Sequence, residues 1–340
     1  MRLTELTGAG GCSAKIAQTD LFAILEGLAA PAGADLLVGA ATMDDAAIYR
    51  FSEDRWLVAT VDFFPPPVDD PSDYGAIATA NALSDVYAMG GRPLLLLNMV
   101  GFDLSQLDGN VLAAILRGGA QVAAEAGCLV AGGHSIRTPE PLFGCAVVGD
   151  VVPSQLTTNA SAQPGDAVFL TKPLGTGVIL NAHKQQAVED RVLTAAVASM
   201  RTLNREAARA MVGAGASAAT DVTGFGLLGH ARNLALASGV RLRLRASALP
   251  ALPGALDLIQ RGYLPGGTKR NLELAQETTS IDADVPAELR ALACDAQTSG
   301  GLIVTLSALR EHEFLAQLPA AVRIGEVLAS APESFPLELV

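Results

Sequence analysis

The stretch "PSDYGAIATANALSDVYAMGGRPLLLLNMVGF" (71–102) decides the fold. Its Ala-rich first part predicts a helix over 71–91, which Asp70 or Ser72 can cap and which two glycines end. The apolar run that follows predicts a buried strand over 92–102. A helix that leads directly into an apolar strand favours an α/β protein.

The segments on both sides continue this alternation. "AAIYRF" (46–51) and "RWLVATVDFF" (55–64) predict a strand pair, and 108–126 predicts a second amphipathic helix. "CLVAGGHS" and "FGCAVVGDV" predict two more strands. The polar, turn-rich stretch 152–166 then separates the first half from a second half that begins again with "AVFLTKPLGTG". We therefore predict two α/β halves of similar size, which is common for 340 residues.

Composition and charge limit the classes of function. Half of the residues are apolar and 17% are charged, which suits a globular core. A net charge of −12 makes nonspecific nucleic-acid binding unfavourable, so we expect no nucleic-acid partner. The four cysteines show no paired spacing, which favours a reducing compartment. Without a signal peptide or an apolar run long enough to span a bilayer, we expect a cytoplasmic protein with no membrane partner.

The N-terminal segment "GAGGCSAKI" (8–16) places Cys12 and Lys15 among glycines. Cys12 has no apolar neighbours to bury it, and Lys15 can lower the pKa of its thiol toward the reactive thiolate. We therefore predict a mobile catalytic segment, against the alternative of a frayed tail with an incidental cysteine. A Cys-His or Ser-His-Asp hydrolase is not indicated, because no histidine lies near in sequence and there is no nucleophile elbow.

Several aspartates stand at informative places in this pattern: Asp44, Asp45, Asp62, Asp85 and Asp221. Asp85 is the most unusual, because an acid in the middle of an Ala-rich helix must cap, pair or bind metal. Asn81, four residues earlier, shares its helical face. Carboxylates dispersed over several elements suit Mg²⁺. Taken one at a time, the same acids could be caps, turn residues or surface charges.

Two glycine-containing loops after strands could present backbone amides to phosphates, "AGGHS" (131–135) and "TKPLGTG" (171–177). His134 in the first loop is a candidate phosphate contact or an exposed imidazole. "GFGLLG" (224–229) matches a dinucleotide pattern, but no acid ends a strand about twenty residues later. There is also no P-loop motif.

Along nearly its whole length the chain resembles the selenophosphate synthetase (selenide, water dikinase) family, which shares a scaffold with aminoimidazole ribonucleotide synthetase. The resemblance is carried by "LTELTGAGGCSAKI", "DDAAIY", "TVDFFPPPVDDPSDYGAIATANALSDVYAMGGRP", "AGGHSI", "EPLFGCAVVG", "LTKPLGTGV", "TDVTGFGLLGH", "PGGTKRN" and "DAQTSGGLIV". It implies an α/β (α+β) protein of two domains, each a mixed sheet packed with helices. We predict a flexible catalytic segment over 1–20, an ATP- and Mg-binding and dimerisation domain over 21–155, and a C-terminal domain over 156–340.

The family resemblance also implies an activity and roles for individual residues. The family converts ATP, selenide and water into selenophosphate, orthophosphate and AMP, with several Mg²⁺ ions. Cys12 would handle selenium and Lys15 would reach the ATP phosphates. The metal ligands would be Asp45, Asp85 and Asp221. Nucleotide contacts would come from Thr42, Met43, Asp44, Asp62 and Asp85. Gly133, His134 and Ser135 would reach the ATP site of the partner subunit, which implies a homodimer.

The chain departs from the family pattern at two positions. Many members have histidine where this chain has Gly8, and many have a second cysteine where it has Ala14. We expect nucleotide and metal binding to tolerate both departures. Two rival functions stay open: another ATP-using enzyme of the same scaffold, and a nucleotide-binding module without catalysis.

Overall fold

The computed structural model describes residues 2–16, 24, 33–39, 43–332 and 334–340. Within them one sheet has six strands, in the order β1-β2-β3-β6-β4-β5, and a second has seven, in the order β10-β13-β9-β12-β7-β11-β8. The first comprises β1 (Leu36–Val38), β2 (Ala47–Arg50), β3 (Trp56–Phe64), β4 (Arg92–Gly101), β5 (Leu129–Ile136) and β6 (Leu142–Val151). The second comprises β7 (Asp166–Leu170), β8 (Ala218–Asp221), β9 (Val240–Leu244), β10 (Ser280–Ile281), β11 (Leu302–Ser307), β12 (Val322–Ala329) and β13 (Leu337–Leu339).

Helices cover both sheets and follow the predicted alternation. The described helices are α1 (Pro71–Ala88), α2 (Gly109–Ala126), α3 (Thr176–Lys184), α4 (Asp190–Arg201), α5 (Arg205–Gly213), α6 (Gly226–Ser238), α7 (Ala255–Gln260), α8 (Gly266–Thr278), α9 (Ala287–Ala293) and α10 (Glu311–Gln317). Both sheets are mixed: β4 pairs with β5 in parallel, and β13 runs parallel to β9 and β10. The two-domain α/β class predicted from the sequence is confirmed. The boundary predicted between 155 and 156 lies in the segment from β6 to β7, and it stays a prediction.

Helix α1 is the central element of the site. Asp70 caps it by accepting a hydrogen bond from the backbone N–H of Asp73. Every residue from 74 to 88 is buried, because α1 packs against β3 and β6 of the first sheet and also against β8 of the second. Gly75 permits close packing on α2, since a Cβ at that position would lie 1.9 Å from the carbonyl oxygen of Ile115. Acids carried by α1 therefore face residues of both halves.

Strand β3 presents polar side chains to α1 and apolar ones to the opposite face. Side chains alternate across a strand, so Thr60 and Asp62 share one face while Val61 and Phe63 share the other. Asp62 is buried, whereas Val61 and Phe63 are exposed. The period of two thus places two polar groups of β3 against the helix that carries Asn81 and Asp85.

The outer face of the first sheet is apolar and uncovered in the single chain. The sequence predicts a buried strand over 92–102, and this is wrong for one face of β4, where Leu97 is 42% exposed. Helices cover only the inner face. The large exposed apolar side chains that share this face in the strand register are Val61, Phe63, Leu97, Leu129 and Ile136.

The described part of the N-terminal segment, residues 2–16, is held by both halves of the chain. Asp69 accepts hydrogen bonds from Arg2 and Thr4, and it lies 3.0 Å from His183 Nε2 on α3. Lys184 Nζ donates to the carbonyl oxygen of Gly8 at 3.0 Å. The predicted segment extends to residue 20, and its last four residues lie outside those described; its mobility stays a prediction. None of the helices described is long and apolar enough to cross a membrane.

Candidate active site

Three aspartates from separate elements meet between the two sheets. Asp45 precedes β2, Asp85 lies on α1 and Asp221 ends β8. One carboxylate oxygen of each lies within 4.8 Å of the others. Among the described residues nothing donates a hydrogen bond to Oδ2 of Asp221, although this atom is buried. Because hard divalent cations prefer such oxygen donors, the three residues fit a Mg²⁺ site.

The electrostatics of this acid cluster also fit a cation. Burial and the nearby Asp221 carboxylate hold the pKa of both Asp45 and Asp85 well above the usual value. Burial raises the pKa of Asp221 to about 6, although Lys15 opposes the shift. Hydrogen bonds from Thr220 to Asp45 and from Thr60 to Asp85 fix two of the carboxylates. Three acids in one buried place repel one another unless protons or a cation neutralise them.

The cluster continues into a chain of contacts that reaches the N-terminal segment. Lys15 Nζ lies 3.2 Å from both carboxylate oxygens of Asp62. The Asn81 amide donates to the same carboxylate at 2.5 Å. The Cys12 thiol in turn donates to Asn81 Oδ1 at 3.3 Å. The structure thus connects Cys12, Lys15, Asp62 and α1, and Asn81 lies on the same helical face as Asp85, as predicted.

The predicted environment of Cys12 is wrong in this structure. Its side chain is 1% exposed, because β3, α1 and the 297–301 loop enclose the segment. Burial raises the pKa of the thiol to about 12, although Lys15 acts to lower it. Burial alone would lower the pKa of Lys15, but Asp62 and the other acids raise it above its usual value. In this arrangement Cys12 is a neutral thiol beside a charged ammonium.

The 297–301 loop, "QTSGG", supplies contacts that the sequence did not reveal. Thr298 Oγ1 accepts a hydrogen bond from the backbone N–H of Cys12 at 3.2 Å. The backbone N–H of Ser299 donates to Asn81 Oδ1 at 3.0 Å, and Ser299 has a positive φ of 49°. This loop therefore holds Cys12 and Asn81 together from the second half of the chain.

Lys172 is a second residue that the sequence analysis did not single out. Its buried ammonium donates to the carbonyl oxygens of Thr202 at 2.6 Å and Ser299 at 3.1 Å. Burial lowers its pKa to about 7. A buried lysine is unusual, but the burial of Lys172 depends on contacts between distant parts of the chain and cannot be seen in the motif "TKPLGTG". Lys172 ties the loop under Cys12 to the end of α4.

The segment predicted to contact a nucleotide is only partly described. Thr42 lies outside the described residues. Met43, with φ of 54°, directs its carbonyl oxygen to the Asn159 side chain, and Asp44 accepts from the Asn159 backbone N–H at 2.8 Å. These two residues therefore link the start of β2 to the segment between the two halves. Their role toward a nucleotide stays a prediction.

Gly133, His134 and Ser135 are in strand β5, not in the predicted loop. The expectation of a loop is wrong and the strand predicted over "CLVAGGHS" is confirmed, because all three residues pair in register with β4 at the edge of the sheet. Across the sheet, Gly133 of β5 is paired with Asn98 of β4, and Asn98 is paired with Cys145 of β6. Cys145 is in turn paired with Asp62 of β3. Three strand spacings separate Gly133 from Asp62, about 14 Å. The strand is exposed, so these residues do not join the acids of their own chain.

The predicted phosphate loop "TKPLGTG" (171–177) is also corrected by the structure. Its amides at the start of α3 are already bonded to side chains of the same chain. Gln297 Oε1 accepts from Gly175 and Thr176, and Asp295 Oδ2 accepts from Gly177 and Val178. The helix start is therefore satisfied internally and does not offer free amides to a phosphate.

Two family models match the chain, one over each half. The AIR synthase related protein, N-terminal domain, matches residues 43–151, and the corresponding C-terminal domain matches residues 163–335. Solved structures share the fold at low identity. Thiamine monophosphate kinase from Aquifex aeolicus has a TM-score of 0.68 at 19% identity, covering 100% of this chain and 98% of that one. The hydrogenase maturation protein HypE in complex with ATP has a TM-score of 0.63 at 19% identity, with coverage of 100% and 95%.

Curated relatives are similar over almost the whole chain. A protein of Porphyromonas gingivalis named selenide, water dikinase is 46% identical over 309 residues, covering 91% of this chain and 88% of the relative. Its namesake in Myxococcus xanthus is 45% identical over 337 residues, covering 97% and 96%. Identity of this extent, together with both matched domains, makes the chain a member of the selenide, water dikinase family of enzymes.

Proposed function

We propose that this protein synthesises selenophosphate from ATP, selenide and water and releases orthophosphate and AMP. The observation that carries the proposal is the connection between the three-aspartate cluster and the pair Cys12–Lys15, made through Asp62 and Asn81. An acid cluster that could hold Mg²⁺ would by itself suit many ATP-using enzymes. A thiol and an ammonium held beside that cluster suit the transfer of a phosphoryl group to a selenium nucleophile.

Asp45, Asp85 and Asp221 would hold Mg²⁺, and Asp62 and Asp85 would face the nucleotide largely through metal. Bound Mg²⁺ would neutralise triphosphate charge and draw charge from the phosphoryl group in transfer. Thr220 and Thr60 keep two of these carboxylates oriented. Thr42, Met43 and Asp44 would contact the nucleotide beside them. This arrangement is how an acidic chain of net charge −12 would bind a polyanion.

The segment that carries Cys12 and Lys15 would act as a lid over this site. Closed, it keeps Lys15 beside Asp62 and encloses Cys12 as a neutral thiol. Opening would remove the burial that raises the pKa of Cys12 and would expose its thiol to incoming selenide, without forming a bond between sulfur and selenium. Closing would exclude water during transfer and would place the Lys15 ammonium on the phosphates. The segment would thus alternate between selenium uptake and phosphoryl transfer.

A homodimer would cover the apolar outer face of the first sheet. Five large apolar side chains of β3, β4 and β5 are exposed on this face in the strand register, Val61, Phe63, Leu97, Leu129 and Ile136, more than an isolated sheet face normally leaves in water. Gly133, His134 and Ser135 lie on the edge strand of this sheet, about 14 Å from their own Asp62. A two-fold interface on this face would let them reach the ATP site of the partner subunit. We therefore propose that two chains complete each site.

Anaerobic ³¹P NMR of the protein with ATP, Mg²⁺ and selenide tests the activity directly. We expect selenophosphate and AMP to form together in the wild type and neither to form in Lys15→Ala. Cys12→Ser should abolish selenophosphate without abolishing nucleotide binding, because serine fits the same position. Formation of ADP without AMP, or turnover that ignores selenide, would reject the proposal in favour of another ATP-using enzyme of this scaffold.

The two rival functions make different demands on the site. An enzyme of the same scaffold acting on another substrate has no need of Cys12, so its turnover would survive Cys12→Ser. A binding module without catalysis would bind ATP and Mg²⁺ and consume neither. The intact cluster of three aspartates argues against a binding module without catalysis. Several like charges buried together lower the stability of the protein, and such a module has no need of them.

A further inference from the structure

A cavity of about 300 Å³ lies between α6 and α8, beside the N-terminal segment. Cys12 and Lys15 line it, and the same two residues contact Asn81 and Asp62 of the acid site. The cavity and the acid site are therefore neighbours that share the Cys12–Lys15 segment. None of the roles proposed above for Cys12 and Lys15 involves a ligand in this cavity.

The cavity contains arginines that lack partners. Of the arginines in the described ranges, Arg117, Arg232 and Arg270 are those whose guanidinium groups make no hydrogen bond or ion pair with another described residue, and two of these three line the cavity. Nε of Arg232 is fully buried without an acceptor from the described residues, and burial lowers the pKa of this guanidinium. A buried N–H group without an acceptor is costly, and Arg232 as a whole is half-buried, so the natural complement of its guanidinium is an anion.

The carboxylates of the cavity lining equal the two guanidinium groups in number, but they are exposed and are not paired with them in the described part of the chain. Burial raises the pKa of the Cys294 thiol to about 12, so it is neutral, like Cys12. Glu273 and Glu277 are carboxylates of the lining, and both are exposed on α8. Neither forms an ion pair with Arg232 or Arg270 within the part of the chain that the structure describes. The cavity thus keeps two free guanidinium groups in a protein of net charge −12.

We propose that this cavity is a binding site for a phosphate-class anion, held by Arg232 and Arg270. Guanidinium groups match tetrahedral oxyanions, because their paired N–H groups can bind two oxygens at once. If the proposed function holds, two such anions arise next to the cavity: selenophosphate and orthophosphate. The cavity would hold the first product while the lid stays closed and the remaining diphosphate is hydrolysed. It would thereby keep a labile product away from the phosphoryl-transfer site.

Binding of two air-stable probes, orthophosphate and thiophosphate, tests the site without turnover. Isothermal titration of the full-length protein, without ATP or Mg²⁺, gives dissociation constants for the wild type, Arg232→Met and Arg270→Met. Arg117→Met is the matched control, because it also removes an unpartnered arginine but one outside the cavity lining. We expect both cavity variants to weaken probe binding by about 10-fold or more and the control to match the wild type. Circular dichroism checks folding, and the exposed Arg270 keeps the test valid if Arg232→Met fails to fold.

A second titration separates the cavity from the ATP site. With a non-hydrolysable ATP analogue and Mg²⁺ present, thiophosphate should still bind, and the analogue's own affinity should be the same in the wild type and in Arg270→Met. Displacement of thiophosphate by the analogue, or equal probe affinity in all variants, would overturn the proposal. A preference for thiophosphate over orthophosphate would indicate the selenophosphate product, and the reverse preference would indicate orthophosphate. Neither titration measures turnover. The binding results can therefore be interpreted even if the protein proves not to synthesise selenophosphate.

Discussion

The Cys12 thiol lies 3.3 Å from Oδ1 of Asn81, so the N-terminal segment is bonded directly to the helix that carries Asp85. The same Asn81 oxygen accepts from the backbone N–H of Ser299, which belongs to the second half of the chain. One side chain therefore joins the segment and both halves. Movement of the segment must break this contact, and the contact can be used to follow such movement.

Gly11→Ala should prevent the N-terminal segment that carries Cys12 from adopting its buried position. Gly11 has a φ of 61°, and a Cβ there would lie 2.3 Å from Thr298 Oγ1. We expect alkylation of Cys12 by iodoacetamide at pH 7.5 to speed up by about 10-fold or more, because the seated thiol is buried and its pKa is about 12. Mass spectrometry of the peptide that contains Cys12 measures the rate. Gly8→Ala is the control, since its Cβ would meet no atom within 4 Å; equal rates in both variants would contradict the closed arrangement.

The fold was largely predictable from the sequence, but the arrangement of the site was less so. Helix α1 and strand β4 follow from local pattern, since a capped Ala-rich stretch and an apolar run each specify their element. The exposed face of β4 could not be predicted, because an apolar run does not show whether a helix, a second chain or water covers it. The roles of Cys12 and Lys172 depend on residues more than 100 positions away, and local pattern carries no information on such contacts.

Asp221→Asn should stabilise the metal-free protein and remove its response to Mg²⁺. Burial raises the pKa of Asp221 to about 6 from 3.8, so between these values the folded protein binds more protons than the unfolded chain. Stability without metal therefore falls as the pH rises through that window, and it stays low at pH 7.5. We expect the variant to exceed the wild type by about 2 kcal/mol at pH 7.5 in EDTA, and to match it more closely at pH 4.

Urea unfolding at both pH values, with EDTA or with Mg²⁺, measures this effect. Mg²⁺ should stabilise the wild type at pH 7.5 but not Asp221→Asn, because the ion needs the ionised carboxylate. Asp284→Asn is the control, since Asp284 is an exposed acid outside the cluster. Equal stabilisation of both variants by Mg²⁺ would rule out Asp221 as a ligand.

Lys172→Met should reduce activity far more than it reduces stability. The substitution keeps the length of the side chain but leaves the carbonyl oxygens of Thr202 and Ser299 without their donor. Loss of these bonds is partly offset because a buried ammonium no longer has to be desolvated, so we expect a change of about 1 kcal/mol or less in the free energy of unfolding. The 297–301 loop should loosen, with a fall of about 10-fold or more in kcat and faster alkylation of Cys12. Lys269→Met, on the surface of α8, should change neither quantity; unchanged kcat in Lys172→Met would show that the loop is held without it.

Mixed dimers should recover activity that neither parent variant has. Asp85→Asn removes an acid of the cluster, and His134→Ala removes a side chain of β5, the edge strand in which the neighbouring Gly133 lies about 14 Å from Asp62 of its own chain by the strand register. If β5 completes the partner's site, a dimer of one Asp85→Asn chain and one His134→Ala chain has one intact site and one doubly damaged site. Because half of the dimers in an equal mixture are mixed and each has one good site of two, co-expression should restore about a quarter of the wild-type rate. Recovery is measured as selenophosphate formed per total chain; if each chain builds its site alone, every site in the mixture carries one lesion and the rate stays at the level of the parents.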